Sequence, residues 1–427
     1  MAYHASSLCF DTPLKETKLL LASPTFYPFY GGAEIRFRRY LPLLSKYSIE
    51  SRVITGTPKA KKITQVHKSE PWYSRAYGDQ LPLENYQGID ITRYRLPEKP
   101  AKKRLNVFQQ RLRERLISSH NDTDVIQFLS PFRMSIIETF KLAKKNNIAT
   151  VVACTLAKGT SQNSVKNFLD SYKIKKIYSA PDCVVVSSNE IKDYLLNHGV
   201  RNRIEVIANG VDVDFYKPVK SITDKENVKK NLGVRAGRKM LLNVGTVHPR
   251  KGTDLLLRAF KVIAQENKDV DLYIAGSRVD AIDKKISGFS DELNSLLSDP
   301  ILQGRVHFLG LIDNVHEYMR AADIFVFTSR EEGMGNVVME AMASGLPVVV
   351  TNYLGFPSVF GEDTKQFMLC DLEETSIAEK TLELLNSESL ASNLASSALT
   401  HVRNTLALNK SVQKFADLYQ ELSAQVR

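Results

Sequence analysis

The stretch that decides the fold is residues 328–350, TSREEGMGNVVMEAMASGLPVVV. An apolar run leads into it at 325–328 and another leads out at 346–351. Between the two runs, a glycine loop precedes residues with helical spacing. The order strand, glycine loop, helix, strand is typical of a parallel α/β sheet whose ligands bind at the carboxyl ends of the strands.

This loop carries residue types suited to a phosphorylated, hydroxyl-bearing ligand. Gly333 and Gly335 stand directly before the predicted helix, which begins at Asn336. Glycine lets the backbone approach a ligand closely, and the unpaired N–H groups of a helix N-terminus attract phosphate. Glu332 in the loop and Glu340 one turn into the helix can accept hydrogen bonds from hydroxyls. An ordinary helix with solvated glutamates fits the same spacing equally well.

A second glycine loop follows the apolar run 239–244. It reads NVGTVHPRKG over residues 243–252, and Arg250 and Lys251 stand beside a predicted helix that starts at Gly252. Two cations at a helix N-terminus can neutralise the charge that grows on a departing diphosphate. A surface basic pair is the alternative, and the position at the carboxyl end of a strand favours a ligand site.

A third glycine turn, Gly31 and Gly32, follows the predicted strand at 18–23. Alone, this pair also fits a plain strand-to-helix turn. At the end of a strand it allows a ligand to come close to the backbone, and Gly32 is the preferred contact.

These motifs resemble the retaining, glycogen-synthase-like glycosyltransferases of family 4. Residues 332–350 look like the family's E-x7-E region, and residues 243–252 resemble its Gly-Arg-x-x-x-x-Lys-Gly motif. Residues 207–212, IANGVD, are similar to its Pro-Asn-Gly-Val-Asp interdomain stretch. The resemblance implies an α/β fold of the GT-B type, in which two Rossmann-like domains face each other across a cleft.

Three segments follow from the resemblance. Residues 1–216 are expected to form the N-terminal, acceptor-binding domain, and residues 217–405 the C-terminal, donor-binding domain. Residues 406–427 are expected to form a helix that returns to the first domain. Strands and helices alternate along both halves of the sequence, which agrees with this division.

The resemblance also implies a reaction: transfer of a hexosyl group from a UDP-, GDP- or ADP-sugar to a hydroxyl, with retention and without a metal. No tightly bound cofactor is implied, because the nucleotide diphospho-sugar is a co-substrate. Arg250 and Lys251 would stabilise the leaving diphosphate, together with the two helix N-termini. Glu332 would face the donor sugar, and Glu340 would bind the ribose hydroxyls.

The chain departs from the family pattern at several points. Thr246 stands where arginine is usual, Ala208 where proline is usual, and Ser358 where glutamate is frequent. The family's first-domain histidine is missing, and Thr155 or Lys158 occupies that region. The sugar and the acceptor therefore stay open. Two other functions remain: a GT-B hydrolase, epimerase or phosphorylase, and a non-catalytic partner subunit.

Composition sets the broad class. At 427 residues the chain is long for one domain, and 43% hydrophobic with 25% charged residues is typical of a globular protein. No apolar run approaches the roughly 20 residues that span a bilayer, and the N-terminus lacks a signal pattern. The cysteines are scattered and are interpreted as reduced thiols, so a cytoplasmic location is expected. They are Cys9, Cys154, Cys183 and Cys370.

Charge is concentrated in the first half. Residues 1–220 carry 35 Lys and Arg against 20 Asp and Glu, whereas the remainder carries 23 against 27. Residues 99–115 form a predicted basic amphipathic helix, which either lies on an anionic membrane or packs on its own domain. No nucleic-acid motif accompanies the charge. The expected partners are a nucleotide-sugar donor, a carbohydrate or lipid-linked acceptor, and an anionic membrane surface.

Overall fold

The structure is a computed structural model. It describes residues 16–26, 32–56, 84–97, 100–129, 134–154, 164–278 and 287–426. Gly31 and the region of Thr155 and Lys158, which the sequence analysis singled out, lie outside these residues.

The first half of the chain forms an eight-stranded sheet with the strand order β3-β4-β2-β1-β5-β6-β7-β8. The pairing is parallel except between β3 and β4. The strands are β1 (Thr17–Ala22), β2 (Ile49–Gly56), β3 (Glu84–Tyr86), β4 (Ile89–Tyr94), β5 (Val125–Phe128), β6 (Ala149–Cys154), β7 (Cys183–Val186) and β8 (Arg203–Val206). The helices of this half are α1 (Gly32–Leu44), α2 (Ala101–Ser118), α3 (Ile136–Lys145), α4 (Ser164–Tyr178) and α5 (Asn189–Asn197).

The second half forms a six-stranded parallel sheet with the order β11-β10-β9-β12-β13-β14. Its strands are β9 (Lys239–Val244), β10 (Val270–Ala275), β11 (Val306–Gly310), β12 (Ile324–Phe327), β13 (Val348–Thr351) and β14 (Met368–Cys370). The helices are α6 (Ile222–Asn231), α7 (Thr253–Glu266), α8 (Ser287–Leu297), α9 (Val315–Ala321), α10 (Asn336–Ala343), α11 (Glu374–Asn386), α12 (Glu388–Thr405) and α13 (Leu408–Val426).

Both faces of each sheet are covered by apolar clusters. This explains why strands such as β7, CVVV, and β13, VVVT, are continuous apolar runs rather than alternating ones. The last helix, α13, belongs to the first sheet: Phe415 packs edge-on against Phe37 and Tyr40 of α1. The hydroxyl of Tyr419 donates to Gln127 of β5 at 3.1 Å.

The predicted strand, loop, helix and strand around residues 328–350 are confirmed as β12, α10 and β13. Gly335 caps the start of α10 with φ of 72°, a conformation that favours glycine. The helix ends in a left-handed turn at Gly345, with φ of 73°. The N–H of Leu346 bonds back to Ala341, and that of Gly345 to Met342, so the last carbonyls are satisfied before the chain enters β13.

The basic helix α2 packs on its own domain. Phe108, Leu112 and Leu116 are buried in the cluster beneath it, so the alternative in which this apolar stripe packs on its own domain is confirmed. The helical spacing of the apolar residues is confirmed. Such spacing does not show whether an apolar stripe packs on a protein core or on a lipid surface.

Candidate active site

Two loops meet at the carboxyl edge of the second sheet, one after β9 and one after β12. Gly252 has φ of 66°, and a Cβ atom there would lie 1.9 Å from the carbonyl oxygen of Thr328. Only glycine therefore allows the loops to lie this close. The guanidinium of Arg330 clamps them by donating to both carboxylate oxygens of Asp254, at 2.8 and 2.6 Å.

The three predicted catalytic residues come together at this junction. Lys251 Nζ donates to Glu332 Oε1, and Arg250 Nη1 lies 3.1 Å from the same oxygen. The hydroxyl of Ser329 also donates to it, at 2.8 Å. One carboxylate oxygen thus faces two cations and a hydroxyl, with the Glu332 side chain only 11% exposed.

The two cations differ in their surroundings. Lys251 is mostly enclosed, and its ammonium lies 5.6 Å from the centre of the Phe327 ring. Burial lowers the pKa of Lys251, and the attraction of Glu332 opposes that shift. Arg250 is 42% exposed and donates to the carbonyl of Glu331 at 2.6 Å. The pair therefore presents one fixed, enclosed charge and one charge at the rim.

His248 shapes the loop that carries these cations. Its Nδ1 accepts a hydrogen bond from the backbone N–H of Arg250 at 3.0 Å, which caps the short turn Pro249–Lys251. Neither His248 nor Ser329 is among the residues predicted from the sequence to form the site. Both residues have polar side chains that contact a predicted site residue two or three positions away in the sequence. That short separation is the signal that could have identified them.

Glu340 faces the other domain. Its Oε1 lies 3.5 Å from Nη1 of Arg39 on α1, and its side chain is 14% exposed. Burial raises the pKa of Glu340, whereas Arg39 and the hydroxyl of Tyr216 lower it. Glu340, which is predicted to bind the ribose, thus has a cationic and a phenolic neighbour that the sequence did not reveal.

The N-terminus of α10 is also tied to the first half of the chain. Asn209 donates from Nδ2 to the side-chain oxygen of Asn336 at 2.6 Å, and its own Oδ1 accepts from Arg36 of α1. The hydroxyl of Ser187 lies 3.5 Å from the carbonyl of Gly333. Three of the predicted ligand contacts, Gly333, Asn336 and Glu340, therefore touch residues of the first half.

Two further predicted positions have clear surroundings. The backbone N–H of Ser358, which stands where the family often has glutamate, donates to the carboxylate of Glu190 at 3.0 Å. A first-domain carboxylate thus lies beside this serine. Gly32 begins α1, the helix that carries Arg36 and Arg39 toward α10.

Comparisons with known proteins agree with this geometry. A family model described as "Glycosyl transferases group 1" matches residues 224–401, and one described as "Glycosyltransferase Family 4" matches residues 30–215. The two matches divide the chain as the two sheets do.

Curated relatives match over part of their length. The chain is 31% identical to mannosylfructose-phosphate synthase of Agrobacterium fabrum over 183 residues, 42% of this chain and 39% of that protein. It is 27% identical to the lipopolysaccharide core biosynthesis mannosyltransferase LpsB of Rhizobium meliloti over 244 residues, 56% of this chain and 66% of that protein. The chain therefore spans less than two thirds of the length of these relatives.

A solved structure superposes on almost the whole length of the chain. Anabaena HepE in complex with UDP superposes with a TM-score of 0.72 at 19% identity, covering 95% of this chain and 100% of that one. At this identity the likeness concerns the fold, and it confirms the predicted GT-B architecture.

Proposed function

Because this chain belongs to the family 4 glycosyltransferases, we propose that it transfers a hexosyl group from a nucleotide diphospho-sugar to a hydroxyl, with retention and without a metal. The observation that carries the proposal is the cluster of Arg250, Lys251 and Glu332 between two glycine loops. A diphosphate needs fixed cations, and a sugar ring that gains positive charge needs a carboxylate nearby.

In the proposed reaction, the diphosphate enters between the two loops and replaces Glu332 as the ion-pair partner of Lys251 and Arg250. The N–H groups at the start of α10 supply further donors to the phosphate oxygens. Glu332 keeps the hydrogen bond from Ser329, and its carboxylate, no longer paired with the two cations, can then face the sugar. As the bond from the anomeric carbon to the phosphate oxygen breaks, the two cations stabilise the charge on the leaving group. The acceptor oxygen forms the new bond to the anomeric carbon, and the acceptor's proton leaves with the diphosphate.

The donor is a UDP-, GDP- or ADP-sugar, and the acceptor is a carbohydrate or a lipid-linked carbohydrate. Support comes from HepE, which was solved with UDP, and from LpsB, which by its description works in lipopolysaccharide core biosynthesis. The remaining assigned contacts are Gly31, Gly32, Gly252, Gly333, Gly335 and Asn336 for the diphosphate and sugar, and Glu340 for the ribose.

A thermal-shift panel of UDP, GDP and ADP, with their common sugars, tests the donor site. One nucleotide is expected to raise the melting temperature, since a ligand at 100 times its Kd stabilises the folded state by about 2.7 kcal/mol. The shift should be lost in Lys251→Met and kept in Lys261→Met, which removes a lysine of α7 that pairs with Asp299 at 2.7 Å. No shift with any nucleotide would contradict the proposal and favour a non-catalytic partner subunit.

We also propose that the first domain meets an anionic membrane through the outer faces of α2 and α4, which pack on the same apolar cluster. On α4, Leu169 and Tyr172 are 48% and 50% exposed, and they share a helical face with Lys173 and Lys176. Apolar and basic side chains together on an exposed face suit an anionic lipid surface. None of the described helices is long and apolar enough to cross a membrane.

Flotation with phosphatidylglycerol vesicles checks this surface. The wild type is expected to float with anionic vesicles at low salt and to be released by salt, because each lysine near such a surface contributes about 1 kcal/mol. Lys173→Glu/Lys176→Glu should stay unbound, whereas Lys268→Glu/Lys365→Glu, the same charge change on the second domain, should float. Equal flotation of both double variants would remove this surface from consideration.

A further inference from the structure

Helix α1 of the first domain faces helix α10, which carries Glu340. The cavity between them has a volume of only about 20 Å³, room for a single water molecule. It is lined from α1 by Arg36, Arg39 and Tyr40, and from α10 by Asn336 and Glu340. Side chains of α1 therefore reach side chains of α10 across this cavity.

The charged contact between the helices is the pair formed by Arg39 and Glu340, whose atoms lie 3.5 Å apart. Tyr216, from the segment that joins the two sheets, is buried. Its hydroxyl interacts electrostatically with both side chains, and its ring lies 5.7 Å from the Arg39 guanidinium. A carboxylate with two partners from outside its own helix has a restricted orientation.

We infer that Arg39 is a positioning residue for the donor: from the first domain, it holds the Glu340 carboxylate in the orientation that binds the ribose hydroxyls. The inference rests on the proposed function, because it takes Glu340 as the ribose ligand. It adds that donor recognition by the second domain depends on a side chain of the first.

Charge gives this arrangement a pH signature. Burial favours the neutral form of Glu340, and Arg39 with Tyr216 opposes that effect. Arg36 and Tyr40 are the other titratable groups on the α1 side of the cavity. Removing Arg39 therefore moves the pKa of Glu340 further upward. A neutral carboxylic acid accepts hydrogen bonds from hydroxyls more weakly than a carboxylate does, so nucleotide binding by the variant should recover as the pH rises.

The ribose supplies a second readout. A site that hydrogen-bonds a hydroxyl discriminates against a ligand that lacks it. If Arg39 positions Glu340, then its loss should weaken binding of a ribonucleoside diphosphate more than binding of the 2′-deoxy analogue. A defect in folding or in phosphate binding alone would weaken both ligands equally.

Calorimetric titration of Arg39→Met with the nucleoside diphosphate and its 2′-deoxy form, at pH 6.5 and 8.5, tests the inference. The wild type is expected to prefer the ribonucleotide about tenfold. The variant should lose that preference, bind the ribonucleotide about tenfold more weakly at pH 6.5, and recover part of the loss at pH 8.5. Arg39→Lys, which keeps the charge, should retain most of the preference.

The outcomes separate the inference from the proposed function. If the wild type binds a nucleotide and Arg39→Met keeps both its affinity and its ribose preference, the inference is overturned and the donor site stands. If the wild type binds no nucleotide, the proposed function fails, and the inference fails with it. Should Arg39→Met not fold, Arg39→Gln is titrated instead, with the same two outcomes.

Discussion

Replacing Lys251 with methionine is expected to lower turnover about 100- to 1,000-fold, the usual loss when one fixed donor to a developing negative charge is removed. Methionine keeps the apolar stem that packs beside Phe327 but carries no charge. Arg250 remains, but it is 42% exposed, and water weakens its attraction for the diphosphate. The enclosed lysine is therefore the larger contributor to leaving-group stabilisation.

The measurement is the initial rate of nucleoside diphosphate release in a mixture of carbohydrate and lipid-linked acceptors. Lys261→Met is the matched control, since it removes a lysine from α7 whose partner, Asp299, lies away from the loops. The control should keep wild-type turnover, and both variants should melt close to the wild type because Glu332 retains Arg250 and Ser329. Full turnover in a well-folded Lys251→Met would refute the assignment.

Local patterns in the sequence were enough to predict a parallel α/β fold and the edge of the sheet at which the candidate site lies. Apolar runs, glycines and helical spacing are patterns that extend over about ten residues, and they correctly predicted β12, α10 and β13. They also brought Arg250 and Lys251 to the same edge as Glu332, because parallel strands end at one edge. The sequence did not reveal that these side chains pair with each other.

The contacts of Glu340 and Asn336 lay beyond sequence reasoning for a different reason. Arg39 is about 300 positions away from Glu340 in the chain, and the two meet only because α1 and α10 face each other across the two domains. Asn209 lies in the stretch that resembles the family's interdomain segment, and its side chain bonds to both Arg36 and Asn336. The relative placement of two domains is not encoded in any local period, so only the structure shows these partners.

The pairing of Glu332 with the cations leads to the second large effect: Glu332→Gln is expected to lower turnover about 100-fold and to bind free nucleoside diphosphate more tightly. Turnover falls because an amide cannot stabilise positive charge on the sugar ring. Binding improves because the diphosphate no longer competes with a carboxylate for Lys251 and Arg250. A gain of about tenfold corresponds to roughly 1.4 kcal/mol, within the range of a partly enclosed ion pair.

Opposite changes in affinity and turnover distinguish this role from simple damage to the site, which would weaken both. Calorimetric titration gives the affinity, and diphosphate release gives the turnover. The control is Glu331→Gln, which removes one negative charge from the neighbouring residue while leaving the oxygen that faces Lys251 in place. That variant should change both quantities little. If Glu332→Gln bound the nucleotide more weakly than the wild type, Glu332 would not be competing with the diphosphate for the two cations. The proposal that Glu332 leaves these cations to face the sugar would then be refuted.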